Sequence, residues 1–107
     1  MHWIYLVSYF FGGVFIFNAI PHLVSGLTGR AFQSPFAKPP GKGLSTSTVN
    51  VLWSWFNILV GYLLVFQVGA FDIRIPADAA SLGIGGLLIS LLSARIFGQF
   101  HGGTPKK

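Results

Sequence analysis

The chain has 107 residues, 52% of them hydrophobic and only 8% charged, with a formal net charge of +5 at pH 7. Soluble domains carry about 25% charged residues, so this inventory cannot cover a water-facing surface. Of the seven Lys and Arg, all but Arg95 fall in gaps between or beyond the apolar runs rather than on one exposed face, which argues against a nucleic-acid partner, and the absence of Cys excludes disulfides, thiolate metal sites and Cys nucleophiles.

The first apolar run extends from Trp3 to about Leu27 without a formally charged side chain, longer than the roughly 20 residues that cross a bilayer. No basic segment precedes it and no small-residue cleavage site follows a short apolar core, so it is expected to be retained as a helix rather than removed as a leader. Trp3 and Tyr5 suit an interfacial aromatic anchor. Pro21 is expected to kink this helix or end its regular part, freeing a carbonyl near Phe17.

A loop of about 28–48 follows, rich in Pro, Gly and Lys, and holding Arg30, Lys38 and Lys42. Phe32 and Phe36 flank Pro35 and would not remain in water, so the loop is expected to be ordered by docking them on the bundle. The second run covers about 49–68, with the Ser/Thr cluster at 45–48 suited to N-capping and Gly69 expected as a left-handed stop. The third begins at Pro76, a favoured first-turn residue, with Asp78 complementing the helix dipole. It continues to about Phe97, and Gly98 is the expected stop. The short connection 70–75 predicts that the second and third helices are antiparallel neighbours. The fold class is therefore an all-α integral membrane protein: one domain over residues 1–107, with transmembrane helices at about 3–27, 49–68 and 76–97.

Orientation follows from charge. Arg30, Lys38, Lys42, Arg95, Lys106 and Lys107 lie on one side of the predicted membrane and Arg74 alone on the other. The positive-inside rule then predicts a cytoplasmic loop and C-terminus with the N-terminus outside.

Each helix carries small or polar residues at i, i+3/i+4 spacing, which places them on one face. The stripes are Ser8, Gly12, Asn18, His22 and Ser25 on the first helix, with Phe15 bridging the step from Gly12 to Asn18. The second has Asn50, Ser54, Asn57 and Gly61, and the third Ala79, Gly83, Gly86, Ser90 and Ser93. Helices in a bilayer associate through close approach at small residues and interhelical hydrogen bonds, so these stripes are the expected packing seams, with Gly12, Gly61, Gly83 and Gly86 as the close-approach points. Ile4, Phe10, Leu52, Phe56, Leu63, Leu87 and Leu91 are left for lipid or a partner. At about 1.5 Å per residue, His22 lies some 28 Å below Trp3. A polar intramembrane cluster of Asn18, His22, Asn50, Ser54, Asn57 and Ser90 is thus expected on the loop side.

Buried polar groups in membrane helices are candidates for function. Two readings stand side by side: mutual hydrogen bonding that holds the bundle, or a ligand or transport role. A metal site needs three or four convergent ligands, and the remaining histidines, His2 and His101, show no spacing motif with His22. Proton-coupled antiport would call for an intramembrane carboxylate, and neither Asp72 nor Asp78 is deep enough. The segment 40–45 resembles a phosphate loop only superficially: Gly43 follows Lys42, Phe36 stands where the first glycine belongs, and no strand precedes it. Its backbone N–H groups and lysines remain suited to an anion such as a lipid headgroup phosphate. Arg30, Phe32, Phe36, Lys38 and Lys42 are accordingly the candidate contacts for anionic lipid or a protein partner. No catalytic constellation is present, and no cofactor is expected.

The run from Asn18-Ala-Ile-Pro-His-Leu-Val-Ser-Gly through Gly29-Arg-Ala-Phe-Gln-Ser-Pro-Phe-Ala-Lys-Pro-Pro-Gly resembles small uncharacterised multi-pass proteins of bacterial inner membranes. The resemblance covers about the first sixty residues and implies location, not activity. The expected function is non-catalytic: an accessory subunit of a larger inner-membrane complex or a homo-oligomeric scaffold. The alternative is a small oligomeric channel or carrier with a pathway lined by Asn18, His22, Asn50 and Asn57.

Overall fold

The computed structural model describes residues 2–104, and side chains from residue 3; Lys106 and Lys107, which enter the charge argument, lie outside the described residues. Three helices are long and apolar enough to cross a membrane. They are α1 (His2–Leu27), α2 (Ser47–Phe66) and α3 (Pro76–His101). Between α1 and α2 lie two short strands, β1 (Phe32–Gln33) and β2 (Leu44–Ser45), paired antiparallel with Phe32 opposite Ser45 and Gln33 opposite Leu44.

Local chemistry explains most boundaries. α1 runs unbroken through Pro21 and closes with Gly29 at φ 74°. Arg30 N–H donates to Ser25 O at 2.9 Å and Gly29 N–H to Gly26 O at 3.0 Å, the paired bonds of a Schellman cap. α2 starts from Thr46, whose side chain accepts from Val49 N–H at 3.2 Å. Pro76 opens α3 and Asp78 sits in its first turn. Buried Asp78 also fastens the preceding turn: its Oδ2 accepts from Asp72 N–H at 3.1 Å. Its Oδ1 has no partner among the described residues.

Two expected stops are corrected. α2 ends at Phe66 with Gln67 as its C-cap, and Gly69 does not adopt positive φ. Glycine is needed there for space, because a side-chain carbon would lie 2.5 Å from Tyr9 Oη and 2.8 Å from the Tyr5 ring. α3 passes through Gly98 to His101 and is capped by Gly102 at φ 88°. Gly98 instead receives the returning chain, with Thr104 N–H donating to its carbonyl at 3.1 Å.

The arrangement of helices also differs from expectation. α1 packs against both α2 and α3, whereas α2 and α3 make no comparable contact with each other. A short connection fixes only where two helix ends meet; the small-residue faces decide what packs. On the α2 side, Gly12 and Gly61 face each other, each backed by the other's carbonyl at 3.1–3.3 Å from a would-be side-chain carbon. Ser8 Oγ donates to Leu64 O at 2.6 Å across the same seam. On the α3 side the meeting points are Gly13 against Leu82, Gly85 against Phe10, and Gly86 against the Phe17 ring. Ser81 Oγ donates to Leu6 O at 2.5 Å.

Gly83 is therefore misplaced by the sequence reading: it is exposed and a side chain there would meet open space. The seam of α3 runs instead through Gly85 and the expected Gly86. Of the residues assigned to lipid, Ile4, Leu52, Phe56, Leu63, Leu87 and Leu91 are exposed, while Phe10 is half-buried where it accommodates Gly85.

Candidate functional site

The helix stripes converge at the loop end of the bundle. Asn50, Ser54 and Asn57 recur along the inner face of α2 and are fully buried. Asn18 Nδ2 donates to Asn57 Oδ1 at 3.1 Å, and Asn57 Nδ2 donates to Trp53 O at 2.8 Å. One turn nearer the loop, His22 Nδ1 and Asn50 Oδ1 are 2.7 Å apart. Two rungs of side-chain hydrogen bonds thus cross from α1 to α2. The i, i+4 spacing of Asn18 with His22 and the seven-residue spacing of Asn50 with Asn57 set them in register.

Asn50 also reaches beyond the helices. Its Nδ2 lies 3.1 Å from Phe32 O, 3.2 Å from Ser45 O and 3.1 Å from Thr46 O. Those acceptors belong to β1, β2 and the α2 cap, so one amide fastens the loop to the bundle. With three carbonyls around Nδ2, Oδ1 can only accept, and His22 Nδ1 therefore bears the hydrogen.

The loop is built on that anchor. Ser34 Oγ and Ser45 Oγ are 2.5 Å apart, Phe36 N–H donates to Ser34 Oγ at 3.1 Å, and Gly41 N–H donates to Ser34 O at 2.8 Å. Phe32, Gln33, Ser34, Ala37 and Ser45 are buried. The Phe32 ring stands edge-on to His22 at 5.5 Å and stacks on His101 at 5.0 Å. Gln33 Oε1 and His101 Nε2 are 2.8 Å apart, tying the end of α3 to the same loop.

The structure therefore brings Asn18, His22, Asn50 and Asn57 together. Ser54 shares their face, but its hydroxyl donates to Val51 O of its own helix at 2.7 Å. Ser90 is outside the cluster, a correction to the sequence reading: it is exposed and its hydroxyl donates to Gly86 O at 2.6 Å. The displacement has the same cause as that of Gly83, a face on α3 drawn about a quarter of a turn off, so that Gly86 falls on the true seam while Gly83 and Ser90 do not. Of the loop residues, Phe32 is buried, whereas Arg30, Phe36, Lys38 and Lys42 are exposed. Phe36 nevertheless meets Trp53 edge-on at 5.2 Å.

Sequence reasoning missed Gln33, Ser34 and Ser45, whose polarity in a loop signals solvent rather than burial. It also missed Trp53, Phe97 and His101, which enclose the cluster. The only cue to His101 was its position one turn beyond Phe97 (i+4), which required the third helix to continue through Gly98.

Beneath the loop, between α2 and α3, lies a cavity of about 390 Å³ bordered by Asn18 and His22. A separate notch on the outer face of α2 is formed by Phe36, Val49, Leu52, Trp53 and Phe56. No group of three or more His, Cys, Asp or Glu that could hold a metal ion occurs among the described residues. No protein-family model, no curated protein and no solved structure matches the chain.

Proposed function

We propose that the chain is a non-catalytic protein of a bacterial inner membrane that works by association, as an accessory subunit of a larger complex or a homo-oligomeric scaffold. In this reading the ordered loop faces the cytoplasm and is the recognition surface. The observation that carries it is the use made of the polar cluster. Asn50, Asn57 and His22 are buried and hydrogen-bonded to one another's helices or to the loop backbone, so their chemistry goes into holding the loop in one shape. What that shape presents outward is Arg30, Phe36, Lys38, Lys42 and Leu44, all exposed.

A preformed surface binds without first ordering itself, which lowers the cost of association. Its cations suit anionic lipid headgroups or an acidic partner segment. A pathway lined by Asn18, His22, Asn50 and Asn57 has less support, because His22, Asn50 and Asn57 are buried and bonded across or along the helices through their amides and through His22 Nδ1.

The test uses photo-crosslinking residues placed at Phe36 and Leu44, with Arg74 as the control on the far side. Discrete protein adducts from the loop positions in native membranes, absent at Arg74, are the expected result. Crosslinks to lipid alone, together with solute flux through the reconstituted chain, would replace association by the carrier reading.

A further inference from the structure

The cavity beneath the loop contains an acceptor that the fold leaves without a donor. His22 is only 3% exposed, and its Nδ1 hydrogen is committed to Asn50 Oδ1 at 2.7 Å. In the neutral ring Nε2 is then a lone-pair acceptor, and it has no hydrogen-bond partner among the described residues. It is not sealed in protein either, since the buried side-chain atoms without a partner comprise Asp78 Oδ1 alone among the described residues. The open side of the ring belongs to the cavity, which His22 lines together with Asn18, Gln33, Trp53, Ile96 and Phe97. Asn18 adds a second acceptor, because its Nδ2 is engaged with Asn57 and its Oδ1 has no partner among the described residues.

The walls narrow the choice of guest. Trp53 of α2 and Phe97 of α3 both stand edge-on to the His22 ring, at 6.4 and 5.9 Å. α2 and α3 do not pack on each other, so the space between these rings lies between two helices that are long and apolar enough to cross a membrane, with Ser34, Pro35 and Pro40 of the loop over it. A volume of about 390 Å³ falls within the range of small-molecule pockets, roughly 300–1,000 Å³. Two aromatic walls favour a flat ring in edge or offset contact. Gln33 of the same lining uses its Oε1 with His101, and its Nε2 has no partner among the described residues, so the site sets a donor beside its acceptors and suits a hydroxyl, which both gives and takes a hydrogen bond.

We infer that this cavity is a binding site for an uncharged, membrane-dissolved aromatic ring bearing a hydroxyl group, with His22 Nε2 as acceptor. Phenols and quinols share that chemistry, and their methyl ethers or oxidised forms lack the donor. The site is independent of the association proposed above, since it needs no partner.

The experiment uses the full chain, ¹⁵N-labelled at histidine, in lipid nanodiscs. The probes are 4-nonylphenol and its methyl ether, 4-nonylanisole, which differ only in the donor. The phenol is expected to shift the Nε2 resonance of His22 saturably, with Nδ1 nearly unmoved, and to bind about tenfold tighter than the ether, the size of one buried hydrogen bond. Ile96→Trp fills the cavity from α3 without touching the His22–Asn50 pair and should abolish the shift. Should that variant fail to assemble, Trp53→Leu removes one wall and should weaken the phenol about tenfold. No shift with either probe, equal shifts with both, or an undiminished shift in these variants would each overturn the site.

Discussion

Asn50 illustrates how much of the loop's order rests on a single side chain. Fully buried, it meets a histidine of α1 and carbonyls of both short strands. Alanine at this position leaves the His22 donor and the loop carbonyls without their partner. Each buried group so stranded costs about 1–3 kcal/mol, although interhelical bonds within membranes average only about 0.6 kcal/mol. Because the strand carbonyls belong to the segment between α1 and α2 rather than to a helix, Asn50→Ala is expected to release the loop while the helices remain assembled. Trypsin cleavage after Lys42, which precedes Gly43, should accelerate at least tenfold in detergent with monodispersity retained. Unchanged cleavage would mean that the serine pair and Phe32 suffice to hold the loop. At His22, glutamine can still donate to Asn50 whereas leucine cannot, so His22→Leu should speed the same cleavage with assembly retained and His22→Gln should not. Equal cleavage of the two would remove His22 from the network that holds the loop.

Among elements, α3 separates what the sequence makes visible from what it hides. The existence of three helices long and apolar enough to cross a membrane, a Ser/Thr cap before α2, Pro76 at the start of α3 and close approach at Gly12 and at Gly61 follow from composition and spacing, because long apolar periodic segments leave few alternatives. Rotation about the α3 axis was not legible. Its small residues lie at 77, 79, 80, 81, 83, 85, 86, 90, 93, 94 and 98, all round the helix, and small size alone does not say which of them meets a neighbour. The ridge of α1 carbonyls decides it, by demanding glycine at 85 rather than 83. The β1–β2 ribbon was hidden for a different reason: strands of two residues carry no periodicity, and the amide that anchors them comes from a helix. Gly85→Ala drives a methyl into the Phe10 carbonyl and should sharply reduce folded yield, whereas Gly83→Ala should be neutral or gain up to about 1 kcal/mol in helix propensity. Thermal unfolding of the two variants in the same detergent measures both effects, and the reverse order would mean that α3 is rotated. On the same axis, Gly86→Leu meets the Phe17 ring at 2.6 Å and should be worse than Leu87→Ala, which faces outward.

For the whole molecule, orientation is the property that the proposed function depends on. The chain lacks cysteine, so single substitutions report topology cleanly. Lys42→Cys is expected to resist a membrane-impermeant maleimide in intact cells and Arg74→Cys to react. Reaction at Lys42→Cys would turn the protein over and move its recognition surface outside.

The central place of α1 has a further consequence, for the order of synthesis. The helix made first is the one both others need, and α3 owes its position to α1 and to the Gln33–His101 contact with the loop rather than to the short 67–75 peptide before it. Covalent continuity there is then dispensable. Two fragments, 1–70 and 71–107, each begun with its own initiator, should reassemble when made in the same cell and co-purify through a tag on either one. A nick between 28 and 46 should be far less tolerated, because that segment is itself part of the packed structure. In effect the protein is a helical hairpin with a detachable third strut, and a transmembrane segment from another chain, carrying glycines at the spacing of 85 and 86, could compete for the same berth on α1.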